Sequence, residues 1–251
     1  EIVTKIAKII SFRLCILIIW IIIILANIQV KGAKRMSIQT IVTIGRQFGS
    51  AGREIGETLA SDLGIKCYDK ELLDRAAKDS GLCQELFENH DEKPTNSFLY
   101  SLVMDTYSFG YSSATFADMP INQKVFLAQY DSIKKIAEEG PCVLVGRCAD
   151  YALADFPNVL TVFIHADLQS RIRRIAKRYD LTDAKAKERI VKMDKRRASY
   201  YNYYTSKKWG DALSYNLCLD SGVLGIDGCV KLIKRAIAIK EDVEEKKNIY
   251  Y

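Results

Sequence analysis

Thr40-Ile41-Val42-Thr43-Ile44-Gly45-Arg46-Gln47-Phe48-Gly49-Ser50-Ala51-Gly52-Arg53-Glu54-Ile55-Gly56 reads as a buried strand, a glycine-rich turn and the start of a helix. The β-branched residues over 40–44 favour a strand. The glycines let the backbone turn tightly and bring its N–H groups close to a ligand with no Cβ in the way, and phosphate is the ligand such a turn suits. Ile55, Leu59 and Leu63 continue the pattern at helical spacing. The plainer alternative is an ordinary strand, turn and helix punctuated by glycine.

The standard phosphate-loop pattern is Gly, four residues, Gly-Lys, then Ser or Thr: amides cradle the phosphates, the lysine reaches the terminal ones, and the hydroxyl holds Mg²⁺. With Gly52 as the second glycine, Arg53 stands at the lysine position, Glu54 at the hydroxyl position and Gln47 where the first glycine belongs. The string fails while its physics survives: an apolar strand, a flexible turn and a cation at the helix mouth. Arg53 supplies lysine's charge without its compact geometry. Ser50 or water must take over the metal contact that Glu54 cannot make.

At 251 residues and 49% hydrophobic composition, the chain suits one substantial α/β domain, with or without an appendage. The net charge of +6 suggests nucleic acid or a membrane, but residues 1–35 hold six of the cations against Glu1 alone. Without them the chain's 37 Lys and Arg become 31, against 30 of its 31 Asp and Glu. No nucleic-acid partner is expected from so neutral a body. Seven cysteines (15, 67, 83, 142, 148, 218, 229) without a Cys-x-x-Cys pair, and two histidines (90, 165), argue against zinc and for buried free thiols in a reducing, cytoplasmic compartment.

Residues 9–28 are almost wholly apolar, and about 20 helical residues span roughly 30 Å, the thickness of a bilayer core. A single-pass anchor bearing a cytoplasmic domain is one reading of residues 1–35. The other, and the preferred one, is upstream sequence read in frame, with Met36 as the start, so that a membrane is a partner only if residues 9–28 are translated.

Along the body, Leu63-Gly64 closes the first helix and Ile65–Tyr68 forms a short strand ending at Asp69, which is either a ligand-facing carboxylate or the N-cap of the helix over 70–80. Residues 82–120 form a helical insert with a tyrosine-rich tip, and 122–139 an amphipathic helix. Cys142–Val145 is a fully apolar central strand running into Gly146-Arg147, where a guanidinium at the strand end can clamp an oxyanion. Residues 159–164 form a strand with His165 at its end as a satisfied histidine, followed by a basic helix over 169–179 whose charge reads mostly as a solvated face. A charged helix over 183–199 leads into a cationic aromatic loop, 198–210, too polar for core. A strand over 215–219 and a helix over 226–239 complete the domain to 240, and 241–251 is a charged, frayed tail.

Five apolar strands separated by helices imply an α/β fold, a doubly wound five-stranded parallel sheet. The glycine-rich loop, Leu-Gly-Ile-Lys-Cys-Tyr-Asp (63–69), Val-Gly-Arg (145–147) before a Phe-Pro-Asn-Val strand, Asp-Lys-Arg-Arg (194–197) and Leu-Asp-Ser-Gly-Val-Leu-Gly-Ile-Asp (219–227) together resemble the cytidylate kinases, and more closely the divergent cytidylate-kinase-like family, over about residues 38–237. The resemblance implies a P-loop nucleotide-kinase fold with a lid over about 183–210, and phosphoryl transfer from ATP, with Mg²⁺, to a small-molecule nucleoside monophosphate. It implies donor-phosphate contacts from Gly45, Gly49, Ser50, Ala51, Gly52 and Arg53, with Ser50 touching metal. Arg46, Asp69, Arg147 and Asp150 would line the acceptor. Arg53, Asp194, Arg196 and Arg197 would serve the transfer, the last three closing as the lid. Where the cytidylate kinases place an aspartate after the arginine, this chain has Cys148, so Asp150 is the substitute. The failed loop pattern motivates a second reading, a nucleotide-binding regulatory module without catalysis, and residues 9–28 a membrane-tethered form of either; the oligomeric state is not written in the sequence.

Overall fold

A computed structural model of the chain describes residues 38–92 and 119–250. The described residues from Gln39 onward form one compact unit. Its elements in chain order are β1 (Ile41–Arg46), α1 (Gly52–Leu63), β2 (Lys66–Tyr68), α2 (Glu71–Ser80), α3 (Gln84–His90), α4 (Ile121–Glu138), β3 (Cys142–Val145), α5 (Ala149–Ala152), β4 (Val159–His165), α6 (Leu168–Tyr179), α7 (Asp183–Thr205), β5 (Leu217–Asp220) and α8 (Ser221–Tyr250). The five strands are parallel in the order β2-β3-β1-β4-β5, as the apolar runs predict.

Alternation along the central strands assigns the two faces of the sheet. Ile41, Cys142 and Leu144 pack with Leu72, Ile133 and Ile136 of α2 and α4. Val143, Val145 and Ile44 lie against Gly56 of α1, on the opposite face. α8 packs beside α1 there, burying Val230, Ile233 and Ile237. With both faces covered, Ile41, Val42, Val143 and Leu144 are wholly buried, which explains their near-continuous apolar sequence. Because β1 sits between β3 and β4, the turn after it opens where successive crossovers part to either side, the place at which such sheets receive ligands.

Two expectations are overturned. α7 does not end near Ser199 but runs on to Thr205, and its tyrosines are core: Tyr200, Tyr201 and Tyr204 are buried. The Tyr204 ring stacks on Phe126 with centroids 3.9 Å apart. Each phenol finds a partner, Tyr200 donating to Gln129 Oε1 at 3.0 Å, Tyr201 to Asp150 Oδ2 at 2.6 Å and Tyr204 to the Asn122 carbonyl at 3.2 Å. A tyrosine so satisfied is a hydrophobic residue. Nor is the C-terminal stretch a frayed tail. α8 continues through it, and Glu241 Oε1 accepts from the Gln39 and Thr40 amides and from Thr40 Oγ1 at 2.8–3.1 Å, fastening the start of β1.

Of the six described cysteines, all free, Cys142, Cys148 and Cys229 are buried as expected, whereas Cys83 and Cys218 are exposed. Among the described residues no helix is long and apolar enough to cross a membrane; residues 9–28, and the aromatic stripe at 98–116, lie outside them.

Packing of this kind has a measurable weight. Replacing a large buried aromatic by alanine costs about 3–5 kcal/mol, whereas an exposed loop residue changes stability by about 0.5 kcal/mol or less. Tyr204→Ala, followed by urea unfolding, is expected to give the larger loss.

Candidate active site

β1 ends at Arg46, and Gln47–Ala51 carry the chain over to α1. The turn is anchored on three sides. Gln47 donates its amide to the Ile164 carbonyl at 3.0 Å, and its side-chain oxygen accepts from the Ala166 amide at 3.2 Å. The Phe48 amide donates to Asp194 Oδ1 at 2.7 Å, Arg171 bridges Asp194 and the Phe48 carbonyl, and Arg174 reaches the Gly49 carbonyl at 2.6 Å. Ser221 Oγ donates to the Ser50 carbonyl at 2.6 Å. Ala51, in the left-handed region at φ 61°, turns the chain into α1. The amides of Gly52, Arg53 and Glu54 then open the helix with no intrahelical carbonyl to meet, at the positive end of its dipole. A side chain at Gly52 would collide with the Arg46 Cβ, so this close approach requires glycine.

At the end of β3, Gly146, Arg147 and Cys148 all take positive φ (81°, 54° and 56°), which swings Arg147 back toward its own strand. A Cβ at Gly146 would strike the Arg46 guanidinium, so glycine there lets the two arginines lie side by side. Arg147 donates to Asp69 Oδ1, to the Val145 carbonyl at 2.9 Å, and through Nε and Nη2 to the two oxygens of Asp91 at 3.1 and 2.9 Å. Arg46 Nη1 donates to Glu92 Oε1 at 2.7 Å, and Arg197 Nε to Glu92 Oε2 at 3.0 Å. Arg196 donates to the main-chain carbonyls of Asp91 and Glu92. Arg53 Nε donates to Glu57 at 2.8 Å and stands 3.4 Å from Asp69 Oδ2. Asp69 therefore serves arginines, and it does not cap α2, whose N-terminus receives no side-chain bond.

Burial opposes ionisation of Asp69 and Glu92, but the neighbouring guanidinium groups outweigh it. Arg147, Arg46 and Arg53 hold the Asp69 carboxyl below the usual carboxylate range, and Arg46, Arg197 and Arg147 hold that of Glu92 far below it. Burial would also lower the Arg147 pKa; Asp91, Asp69 and Glu92 reverse this and raise it well above that of a free arginine. For Arg197, burial and repulsion from Arg46 prevail over Glu92 and lower it.

These groups line one cleft of about 240 Å³, together with Arg174 and Arg178. Eight basic side chains face four acidic ones across it, an excess suited to a polyanion. The cleft brings together Gly49, Ala51, Gly52, Arg53, Arg46, Asp69, Arg147, Arg196 and Arg197, residues far apart in the chain. Asp150 does not line it. Its carboxyl, raised by burial against the Tyr201 bond, borders an adjoining cavity of about 20 Å³, shared with Gly45 and room for one water-sized group. Asp194 does not line the cleft either but ties α7 to the turn.

The loop fits phosphate better than it fits a metal. Ser50 is wholly buried and its hydroxyl donates to the Gln47 carbonyl at 2.9 Å, so the side chain expected to touch Mg²⁺ faces inward. Among the described residues no group of three or more His, Cys, Asp or Glu side chains is arranged for a metal ion.

Sequence reasoning missed Asp91 and Glu92, an acidic pair inside a polar insert with nothing in its spacing to distinguish it. It also placed Arg171 and Arg174 on a solvated face. Arg171 is buried against Asp194, and the three-residue step between the two arginines, which sets both on the side facing the turn, was the available signal.

A five-stranded parallel sheet in this order, with a strand–turn–helix opening on a basic cleft, defines the P-loop kinase fold of nucleotide and small-molecule kinases. Within that class the chain belongs to the cytidylate kinase-like family, whose sequence profile matches residues 41–223. It is 24% identical over 210 residues to a cytidylate kinase of Methanopyrus kandleri, covering 80% of this chain and 94% of that protein. Among solved structures it resembles an uncharacterised protein from Eubacterium ventriosum, with 30% identity, a TM-score of 0.60 and coverage of 80% of this chain and 99% of that one. A shikimate kinase from Bacteroides thetaiotaomicron is a more distant likeness, at 13% identity and a TM-score of 0.47 over 80% of this chain and 99% of that one.

Two buried carboxylates with depressed pKa values make the site's stability pH-dependent. Groups whose folded pKa lies below the unfolded value, about 4, stabilise fully above that value and lose their contribution as pH falls through the folded one. Urea midpoints are expected to drop below about pH 4. Glu92→Gln should flatten that acid slope and, by removing the one carboxylate hydrogen-bonded to both Arg46 and Arg197, cost about 3–5 kcal/mol at pH 7.

Proposed function

We infer that the protein transfers the terminal phosphoryl group of ATP to a nucleoside monophosphate of the CMP or dCMP type. The observation that carries this reading is the convergence, in one cleft, of the α1 amides and Arg53 with Asp69, Arg147, Arg196 and Arg197. Family membership and the similarity to a cytidylate kinase favour cytidylate as the acceptor. Free cysteines agree with a reducing, cytoplasmic setting.

Phosphoryl transfer needs little covalent help from protein. It needs two oxyanions aligned and their charge neutralised. On the donor side, the amides of 52–54 and Arg53 hold the phosphates at the helix dipole's positive end. On the acceptor side, Arg147 is aimed by Asp69 and by the Val145 carbonyl. Arg196 and Arg197 approach from α7 and can neutralise charge between the two. ATP brings Mg²⁺ in most such reactions; the inward-facing Ser50 hydroxyl is not placed to hold it, and the work of Arg53, Arg147, Arg196 and Arg197 does not pass through the metal. That same misfit favours, as a second reading, a nucleotide-binding module without turnover.

Assay of ATP consumption against a panel of nucleoside monophosphates separates the two. CMP or dCMP turnover is expected, and tight ATP binding without turnover of any acceptor would refute the kinase reading. Arg53→Ala should raise KM for ATP, and Arg147→Lys, which forfeits bidentate pairing, should raise KM for the acceptor, each about tenfold.

A further inference from the structure

Every nitrogen of the Arg147 guanidinium is engaged, and the engagements differ in kind. Nη1 points back into the sheet end, to Asp69 and the Val145 carbonyl, and these contacts hold the side chain in place. The Nε and Nη2 edge faces Asp91, one nitrogen to each carboxylate oxygen, the parallel geometry in which a guanidinium receives any oxyanion. The Arg147 side chain is 4% exposed, that of Asp69 10% and that of Asp91 18%, so Asp91 is the more exposed of the two carboxylates that Arg147 meets in the cleft. An anionic acceptor reaches this edge by taking the place of Asp91.

We propose that Asp91 is an internal occupant of the acceptor's oxyanion position, a carboxylate that holds Arg147 until the acceptor displaces it. The proposal rests on the reading of Arg147 as an acceptor ligand. Glu92, next in the chain, is not such an occupant: it is buried, and its two oxygens bridge Arg46 and Arg197 as a fixed brace. Displacing Asp91 has a second effect, because its main-chain carbonyl and that of Glu92 accept from Arg196. Moving the Asp91 backbone breaks one of the two carbonyl contacts of Arg196 and leaves the Glu92 one, so acceptor binding also loosens an arginine that faces the same cleft. The device also selects by charge. A dianionic phosphate monoester outcompetes a monoanionic carboxylate for Arg147, whereas a neutral alcohol has nothing with which to displace it.

The test is calorimetric titration of CMP, and separately of inorganic phosphate, into the wild-type chain, Asp91→Asn and Asp91→Ala. Loss of the competitor should tighten binding of CMP by about tenfold, and by more than the general gain in positive charge tightens ATP. Unchanged or weaker binding in folded variants would overturn the proposal and show Asp91 to be a positioning residue for Arg147. Should neither variant fold, hydrogen exchange on the wild-type chain decides: amides near Asp91 should exchange faster when CMP is added, and added protection overturns the idea. The two readings fail separately. Turnover of a nucleoside monophosphate without any gain in the variants defeats this inference alone. A gain in phosphate binding by the variants, from a protein that turns over no nucleoside monophosphate, defeats the acceptor reading while Asp91 keeps its place on Arg147.

Discussion

Seven guanidinium groups, those of Arg46, Arg53, Arg147, Arg174, Arg178, Arg196 and Arg197, line one cleft, and their mutual repulsion is the constraint around which this molecule is built. Arg46 and Arg147 are nearly buried, where like charges are screened little by solvent. Asp69, Asp91 and Glu92 make the arrangement possible. Asp69 comes from the end of β2 and the other two from beyond α3, so the charge balance also fixes how those elements meet β1 and β3. Buried ion pairs are poor sources of net stability. Their retention in this cleft is better explained by what the excess positive charge can attract.

The same economy explains the backbone of the site. Arg147 and Cys148 adopt left-handed conformations that side-chain-bearing residues avoid, at about 1–3 kcal/mol each. Strain of this kind persists only where the surroundings over-determine it. The Arg147 bonds and the burial of Cys148 among Phe126, Phe163 and Tyr200 do so. Among those rings, burial pushes the Cys148 thiol pKa well up. Tyr201 holds the Asp150 carboxyl in the adjoining cavity, which Arg46 and Arg147 also line.

Most of the framework was legible because its cause is local. Apolar β-branched runs at 41–44, 142–145 and 159–164 can hardly be anything but covered parallel strands, and they proved so. Arg147 and Asp69 were each legible as candidates because both stand at strand ends; that they pair follows from β2 lying beside β3. The misreadings share a physical reason. Tyr200, Tyr201 and Tyr204 look polar in a string of letters, and only the tertiary positions of Gln129, Asp150 and Asn122 make them apolar. Asp91 and Glu92 gain their meaning from arginines 46 to 105 positions away, which no periodicity encodes. Glu241 is the same case at the other end of the chain.

The turn between β1 and α1 is held from three directions, by β4, by the α6–α7 pair and by the first residue of α8. Gly225 breaks the helical path of α8 just beyond that residue, so its opening turn is free to align with the loop and not with the rest of the helix. A surface fixed in advance has little conformational entropy left to surrender when an anion arrives. The ordering cost of assembling a complex is thereby shifted away from the loop and onto the side of the cleft where Asp91 must move. Of the two halves of the site, one behaves as a mould and the other as a hinge.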